Sequence, residues 1–305
     1  MTPIQRYLAE EVAHDHVDGL IPRREALRRL ALLGLGLPAA TALLAACGAP
    51  TESPTATAPP ASPTTAPPAT TNSPAGPTPL PTEAITFDGP EGTTLQAAWA
   101  AAAEQRGAVL VIHENRGLTD HIRSVAGRLA ASGYSALALD LLSREGGTAT
   151  FADTAQATAK LGEITDERFV ADMKAAVGEL GRRAEGAKLG MMGFCFGGGM
   201  TWLLLSSSEP RLSAAAPFYG PLPDNADMTG TKAAVLGVYA EQDDRVNAGR
   251  DAAEAALTKA GLTHELVTFP GVGHAFFNDT GQRYNAEAAA QAYERVLDWF
   301  GRHLA

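Results

Sequence analysis

Gly193-Phe194-Cys195-Phe196-Gly197-Gly198 stands between a short apolar run at 188–192 and a Gly- and Leu-rich stretch at 198–206. The first reads as a strand and the second as a helix. A strand that passes into a helix over so few residues must turn sharply, and only small side chains fit beside the turn. The central residue is then lifted over the end of the sheet. Here that residue is a cysteine. The free N–H groups of the following helix favour negative charge at that point, and so favour the thiolate, the attacking form of the side chain.

Outward from this point the chain alternates short apolar runs with amphipathic segments. Residues 85–87 and 95–98 read as a hairpin around Gly89-Pro90-Glu91-Gly92, and 108–113, 134–139, 213–218, 233–239 and 264–269 as further strands. Segments 120–132, 165–183, 248–260 and 282–304 carry helical spacing; in 165–183, Phe169, Met173, Ala176, Val177 and Leu180 share one face. Strands alternating with helices predict an α/β fold with a mostly parallel central sheet flanked by helices. No internal repeat interrupts the pattern.

Composition divides the chain. Residues 48–82 hold eleven of the twenty prolines, nine threonines, no aromatic and one charge, Glu52. Such a stretch cannot bury enough apolar surface to offset its ordering entropy and is expected to be a solvated, disordered tether. Residues 83–305 are expected to form the folded domain, with 19 basic and 28 acidic residues and a net charge of −9. That balance argues against nucleic acid as a partner, since phosphate contacts need basic surface. Ahead of the tether, Arg23-Arg24 precede an uncharged run at 30–46 that ends Leu44-Ala45-Ala46-Cys47. A basic start, an apolar run and small residues before a break predict a signal peptide over 1–46, with the arginine pair suggesting twin-arginine export. Leu-Ala-Ala-Cys resembles a lipobox, in which Cys47 would be lipidated. The expected location is therefore the outer side of the cytoplasmic membrane, with the protein held there by a lipid anchor. With Cys47 assigned in this way, Cys195 has no cysteine left to pair with and is expected to be a free, reactive thiol.

Two further residues suit the chemistry of an exposed thiolate. Asp243 follows the strand at 233–239, with Asp244 the competing carboxylate, and His274 stands in a loop between Gly271, Gly273 and the C-terminal helix. A histidine over the sheet would take and return the proton, and the acid would fix its tautomer. Two backbone N–H groups are needed for an oxyanion: that of Phe196, and one from the loop after 108–113, where Asn115 is the candidate. Glu114 in that loop faces the same point and is expected to hold the thiol proton until substrate displaces it, or else to cap a helix.

These residues resemble the dienelactone hydrolase family of α/β-hydrolases over essentially all of 83–305. The resemblance rests on the Cys195 hexapeptide, His113-Glu114-Asn115-Arg116-Gly117-Leu118, Asp140-Leu141-Leu142-Ser143-Arg144, Asp243-Asp244-Arg245-Val246 and Gly273-His274-Ala275-Phe276. It implies an α/β-hydrolase fold and a carboxymethylenebutenolidase-type hydrolysis of esters or lactones. It also implies a Cys195–His274–Asp243 triad, a thioester acyl-enzyme, Glu114 as the thiol gate, and Arg144 as a substrate-carboxylate ligand. The family's second arginine, four residues after the histidine, is replaced here by Asn278, and Arg283 lies in the same loop. No cofactor and no metal are expected, the substrate is a small ester or lactone, and the chain is expected to be a monomer. The rival reading is a non-catalytic, ligand-binding surface lipoprotein on a hydrolase scaffold; its sign would be a missing triad member, and none is missing.

Overall fold

The computed structural model describes residues 1–47 and 74–305. The expected tether, over 48–73, lies outside the described residues. The strands are β1 (Glu83–Asp88), β2 (Thr94–Ala100), β3 (Gly107–Ile112), β4 (Tyr134–Asp140), β5 (Leu189–Phe194), β6 (Leu212–Phe218), β7 (Ala234–Gln242) and β8 (His264–Gly273). They form one sheet in the order β1-β2-β4-β3-β5-β6-β7-β8. β1 and β2 are antiparallel to each other, as are β2 and β4, and every other pair is parallel. The mostly parallel sheet read from the sequence is therefore present, with an antiparallel edge from the opening hairpin.

The helices are α1 (Pro3–Val17), α2 (Arg23–Leu32), α3 (Leu37–Cys47), α4 (Asp120–Ala131), α5 (Thr154–Glu163), α6 (Asp166–Arg183), α7 (Phe196–Leu205), α8 (Asp244–Asn247), α9 (Arg250–Lys259) and α10 (Ala286–His303). Every residue of β3, β4 and β5 is buried, so the sheet is covered on both faces, and the strands accordingly read as continuous apolar runs. The C-terminal end of α4 meets α10 through Ser132, the residue after α4, and Tyr293, whose hydroxyls are 3.1 Å apart. α6 and α7 meet through Phe169 and Phe196, edge to face at 5.5 Å. α5 was not foreseen, because its sequence, TAQATAKLGE, has a single large apolar residue.

Two parts of the chain ahead of β1 differ from expectation. Residues 74–82, placed in the tether by composition, lie against the domain: Leu80 N–H donates to the Gly127 carbonyl at 3.1 Å, and Arg128 donates to the Ala75 carbonyl at 2.7 Å. Gly76, at φ +90°, lies so close to Tyr293 that a Cβ there would come within 2.5 Å of the ring. Hydrogen bonds to its backbone, one close-packed glycine and the small Ala75, rather than large apolar side chains, hold this strap, so composition does not reveal it. The second is the stretch expected as a leader. α1, α2 and α3 pack on one another through Leu8, Ala9, Val12, Ala13, Ala26, Leu30, Ala40 and Leu44, all buried, and α1 and α2 also touch α5. The apolar run at 30–46 is broken between α2 and α3, where Gly34 takes φ +85°. No helix among the described residues is long and apolar enough to cross a membrane.

Candidate active site

Cys195 sits between β5 and α7 at φ 57°, ψ −118°, a conformation that costs a non-glycine residue about 1–3 kcal/mol. Its N–H donates to the Phe218 carbonyl at 3.0 Å, and its carbonyl accepts from Gly199 N–H at 3.1 Å. The flanking glycines are obligatory. A Cβ on Gly193 would lie 2.1 Å from the Gly197 carbonyl oxygen, one on Gly197 2.4 Å from that of Ile112, and one on Gly198 2.3 Å from that of Phe218. The sharp turn inferred from the hexapeptide is therefore present, and sterics alone dictate its residues.

The parallel pairing of β7 and β8 brings the acid and the histidine together. Gln242 is opposite Gly273, so the next residues along the two strands, Asp243 and His274, leave the sheet edge side by side. His274 Nδ1 is 2.6 Å from Asp243 Oδ2, and both side chains are buried. Asp244, the competing carboxylate, is exposed at the start of α8. Ala275, at φ 63°, turns the chain away directly after the imidazole. Burial alone would lower the pKa of His274, but the Asp243 carboxylate and the Cys195 sulfur together carry it up to about 9. The Cys195 sulfur, a ring nitrogen of His274 and a carboxylate oxygen of Glu11 all lie within 4.8 Å of one another, and His274 Nε2 is 3.4 Å from Glu11.

The loop after β3 is built to hold its backbone still. His113 is fully buried, with Nδ1 2.6 Å from the Glu114 carbonyl and Nε2 accepting Leu141 N–H at 3.1 Å. Burial holds its pKa down, which suits the neutral ring that this donor–acceptor pair requires. Asp140, at the end of β4, accepts from Thr148 N–H and Oγ1, and Thr148 Oγ1 in turn accepts Leu118 N–H at 2.9 Å. Asn115 lies in this clamped loop, its carbonyl accepting from Thr158 of α5 at 2.7 Å. Asn115 and Cys195 line one small cavity with Glu114, Arg116, His274 and Asn278.

Glu114 is buried, but its Oε2 accepts from Asn278 Nδ2 at 2.6 Å, and the hydroxyl hydrogen-bonded to the thiol is that of Tyr7, 3.3 Å from Sγ. Asn278, standing where an arginine was expected, thus fixes Glu114. Arg144 is placed otherwise than the resemblance implied. Its guanidinium is committed to Asp172 of α6, at 3.0 and 2.5 Å, and to Glu91 at 3.2 Å, and it does not line the cavities at Cys195 and His274. The arginines that line them are Arg116, Arg245 and Arg283. Cys47 is the last residue of α3, partly buried, and its thiol pKa is raised by that burial and by Glu10.

Sequence reasoning missed four neighbours of Cys195, His274 and Asp243. Tyr219, in a positive-φ conformation after β6, sets its ring edge-to-face at 5.1 Å from His274. Tyr7 and Glu11 come from α1, and Arg245 pairs with Glu11 while stacking over the Tyr7 ring at 4.5 Å. Tyr7, Glu11, Asp15 and Asp18 recur at spacings of four, four and three, a single helical stripe legible in the sequence had 1–46 been considered a folding segment.

Residues 95–304 match the profile of the Dienelactone hydrolase family. A provisionally named carboxymethylenebutenolidase of Methylorubrum extorquens is 34% identical over 212 residues, covering 64% of this chain and 72% of that protein. One from Salmonella typhi is 33% identical over 233 residues, covering 70% and 84%. Among solved structures, a provisionally named dienelactone hydrolase of Klebsiella pneumoniae superposes with a TM-score of 0.63 at 29% identity, over 73% of this chain and all of that one.

Proposed function

Because this chain belongs to the dienelactone hydrolase family and is a hydrolase of carboxylic esters or lactones, we propose that it works through Cys195, His274 and Asp243 by way of a thioester. The reading is carried by the 2.6 Å contact between His274 and Asp243, with Nε2 turned toward the sulfur of a strained, glycine-flanked elbow. The Cys195 thiolate attacks the substrate carbonyl. The backbone N–H groups of Phe196 and Asn115 hold the negative oxygen that forms. As the C–O bond breaks, the imidazolium of His274 gives its proton to the leaving alkoxide. Water then attacks the thioester, its proton passes to His274, and the thiolate leaves with the acid as product. Asp243 keeps Nδ1 protonated and Nε2 free for this traffic. Glu114, tied to Asn278, shapes the floor of the site and tunes its field.

Replacing Cys195 by Ala or alkylating it with iodoacetamide removes turnover of p-nitrophenyl esters, and rapid mixing followed by intact-mass measurement catches an acyl group on Cys195. Full turnover in the Ala variant refutes the mechanism. We further propose, on the strength of Arg23-Arg24 and Leu44-Ala45-Ala46-Cys47, that the protein is exported and anchored outside the cytoplasmic membrane through a lipid on Cys47. Labelling cells with radioactive palmitate, with and without Cys47→Ala, tests that assignment.

A further inference from the structure

The triad is complete on the sheet, yet it is not open to an ester. The Tyr7 hydroxyl is 3.3 Å from the Cys195 sulfur, and a carboxylate oxygen of Glu11 is 3.4 Å from His274 Nε2. These are the two positions that the reaction itself must use. A substrate carbonyl carbon has to come within bonding reach of the sulfur, and a leaving group or water has to meet Nε2. The cavity remaining at Cys195 is about 60 Å³, room for one or two waters, whereas pockets for small organic ligands begin at roughly 300 Å³. The much larger space of about 730 Å³ lies beyond Glu11 and touches His274 without reaching Cys195.

The occupant is held by complementary charge at the mouth of the cleft. Arg245 pairs with Glu11 and covers the ring of Tyr7, and Arg283 reaches Asp15 at 3.0 Å and Asp18 at 2.6 Å. Leu8, Ala9, Val12 and Ala13 of the same helix are buried, and α1 packs on α2, α3 and α5, so α1 presents an acidic stripe to the cleft and keeps its apolar residues for the helices around it. A segment that contributed to catalysis would leave the nucleophile and base a path to substrate; this one engages both and fills the space between.

We propose that residues 3–33 are an intramolecular inhibitor of the hydrolase. The rim of the cleft, with Arg245 and Arg283 at its centre, is a docking surface for an acidic amphipathic helix; its occupant in this chain is α1, and the chain with α1 seated is latent. Activity appears when the segment leaves, whether by the removal of 1–46 that lipidation of Cys47 would entail or by displacement, so the latent form is the chain before that cut. The proposal rests on the hydrolase reading for what the open site does, but not for whether the site is covered.

The test uses the full chain. Glu11→Arg and Asp15→Arg together set like charges against Arg245 and Arg283. In a second form, a site-specific protease sequence placed within 51–73 is cut after purification. Two readouts are taken: hydrolysis of p-nitrophenyl acetate, and the rate of iodoacetamide addition at Cys195, followed by peptide mass spectrometry to separate it from Cys47. Both are expected to rise about tenfold or more in the charge-reversed chain and after cleavage and dilution, as a minor open state becomes the major one. A synthetic peptide of residues 3–33, added to the cleaved protein, is expected to lower both again. Unchanged or reduced Cys195 alkylation in both forms overturns the proposal, as does a fall in turnover with alkylation unchanged, which would make α1 a part of the catalytic apparatus. Faster alkylation without ester turnover in any form upholds the docking but refutes the hydrolase mechanism.

Discussion

Of the residues around Cys195, Asp243 offers the sharpest mutational test. Its carboxylate is the partner of His274 Nδ1, so Asp243→Asn keeps the shape and inverts the tautomer; kcat/KM for an activating ester is expected to fall by roughly 10³–10⁴, with circular dichroism unchanged. The pH behaviour follows from the raised pKa of the same imidazole. His274 is faced by Asp243, Cys195, Glu11, Arg245 and Tyr219; burial lowers its pKa, but Asp243 and Cys195 outweigh it and leave the value at about 9 against 6.5 for the free side chain. A group that holds its proton more tightly when folded stabilises the fold fully below its unfolded pKa and loses that contribution as pH rises through the folded one. The Tm advantage of the native chain over His274→Gln is therefore expected to be largest near pH 6 and to fade as pH rises from 6.5 through about 9. A difference independent of pH would mean that the imidazole is neutral in the fold. The grouping of Cys195, Asp243 and His274 was legible because a Gly-flanked elbow, a strand-end acid and a Gly-flanked histidine each leave a local mark. Tyr219 leaves none, since its place beside His274 depends on the positive-φ turn after β6 and on the bond from its N–H to the Val238 carbonyl. Arg144 was misread because motif position carries no information about Asp172, which lies on a helix 28 residues away.

At the scale of elements, the loop between β8 and α10 must stay in place for His274 to work, and it is fastened from below. Asp279 accepts from His121 at 2.7 Å and pairs with Arg128 at 3.3 Å, both on α4, with Arg128 fully buried. Asp279→Ala leaves that guanidinium buried without its carboxylate, which costs on the order of 3–5 kcal/mol. A lower urea midpoint with an unchanged slope is the expected result; an unaltered midpoint would show that the clip carries no weight. The strands and most helices of the sheet layer could be read from apolar runs and helical spacing, since burial on both faces writes itself into the sequence. α5 could not, because its small side chains gain their place from the helices packed over it: a Cβ on Gly162 would lie 3.2 Å from Leu33 and 3.4 Å from Leu8. The 74–82 strap, joined through hydrogen bonds to its own backbone groups, was equally silent.

The whole molecule is an α/β-hydrolase sheet with a helical segment from its own N-terminus seated in the cleft. That segment reads in the sequence as a leader and gives no sign of a fold, because the stripe of Tyr7, Glu11, Asp15 and Asp18 gains meaning only opposite Arg245 and Arg283. Ion pairs at a cleft mouth weaken with salt, the more so where one partner is half exposed, as Asp18 is. Raising sodium chloride from about 0.05 to 1 M, across which the screening length shortens severalfold, is therefore expected to increase ester turnover by the full chain. It is expected to leave the protease-cleaved form little changed; equal responses in both would place the salt effect in the domain itself.

The strap at 74–82 gives the molecule a point of suspension. It grips Gly127 and Arg128 of α4 and the ring of Tyr293 on α10, none of which belongs to the thiol, imidazole and carboxylate group. Any drag on the chain ahead of Pro74 is consequently borne by those two helices. The reacting atoms are not gripped directly; the load reaches the loop that carries His274 through the Arg128–Asp279 pair, so a catalyst moored by its N-terminal side would feel a pull at that clip before its chemistry was jostled.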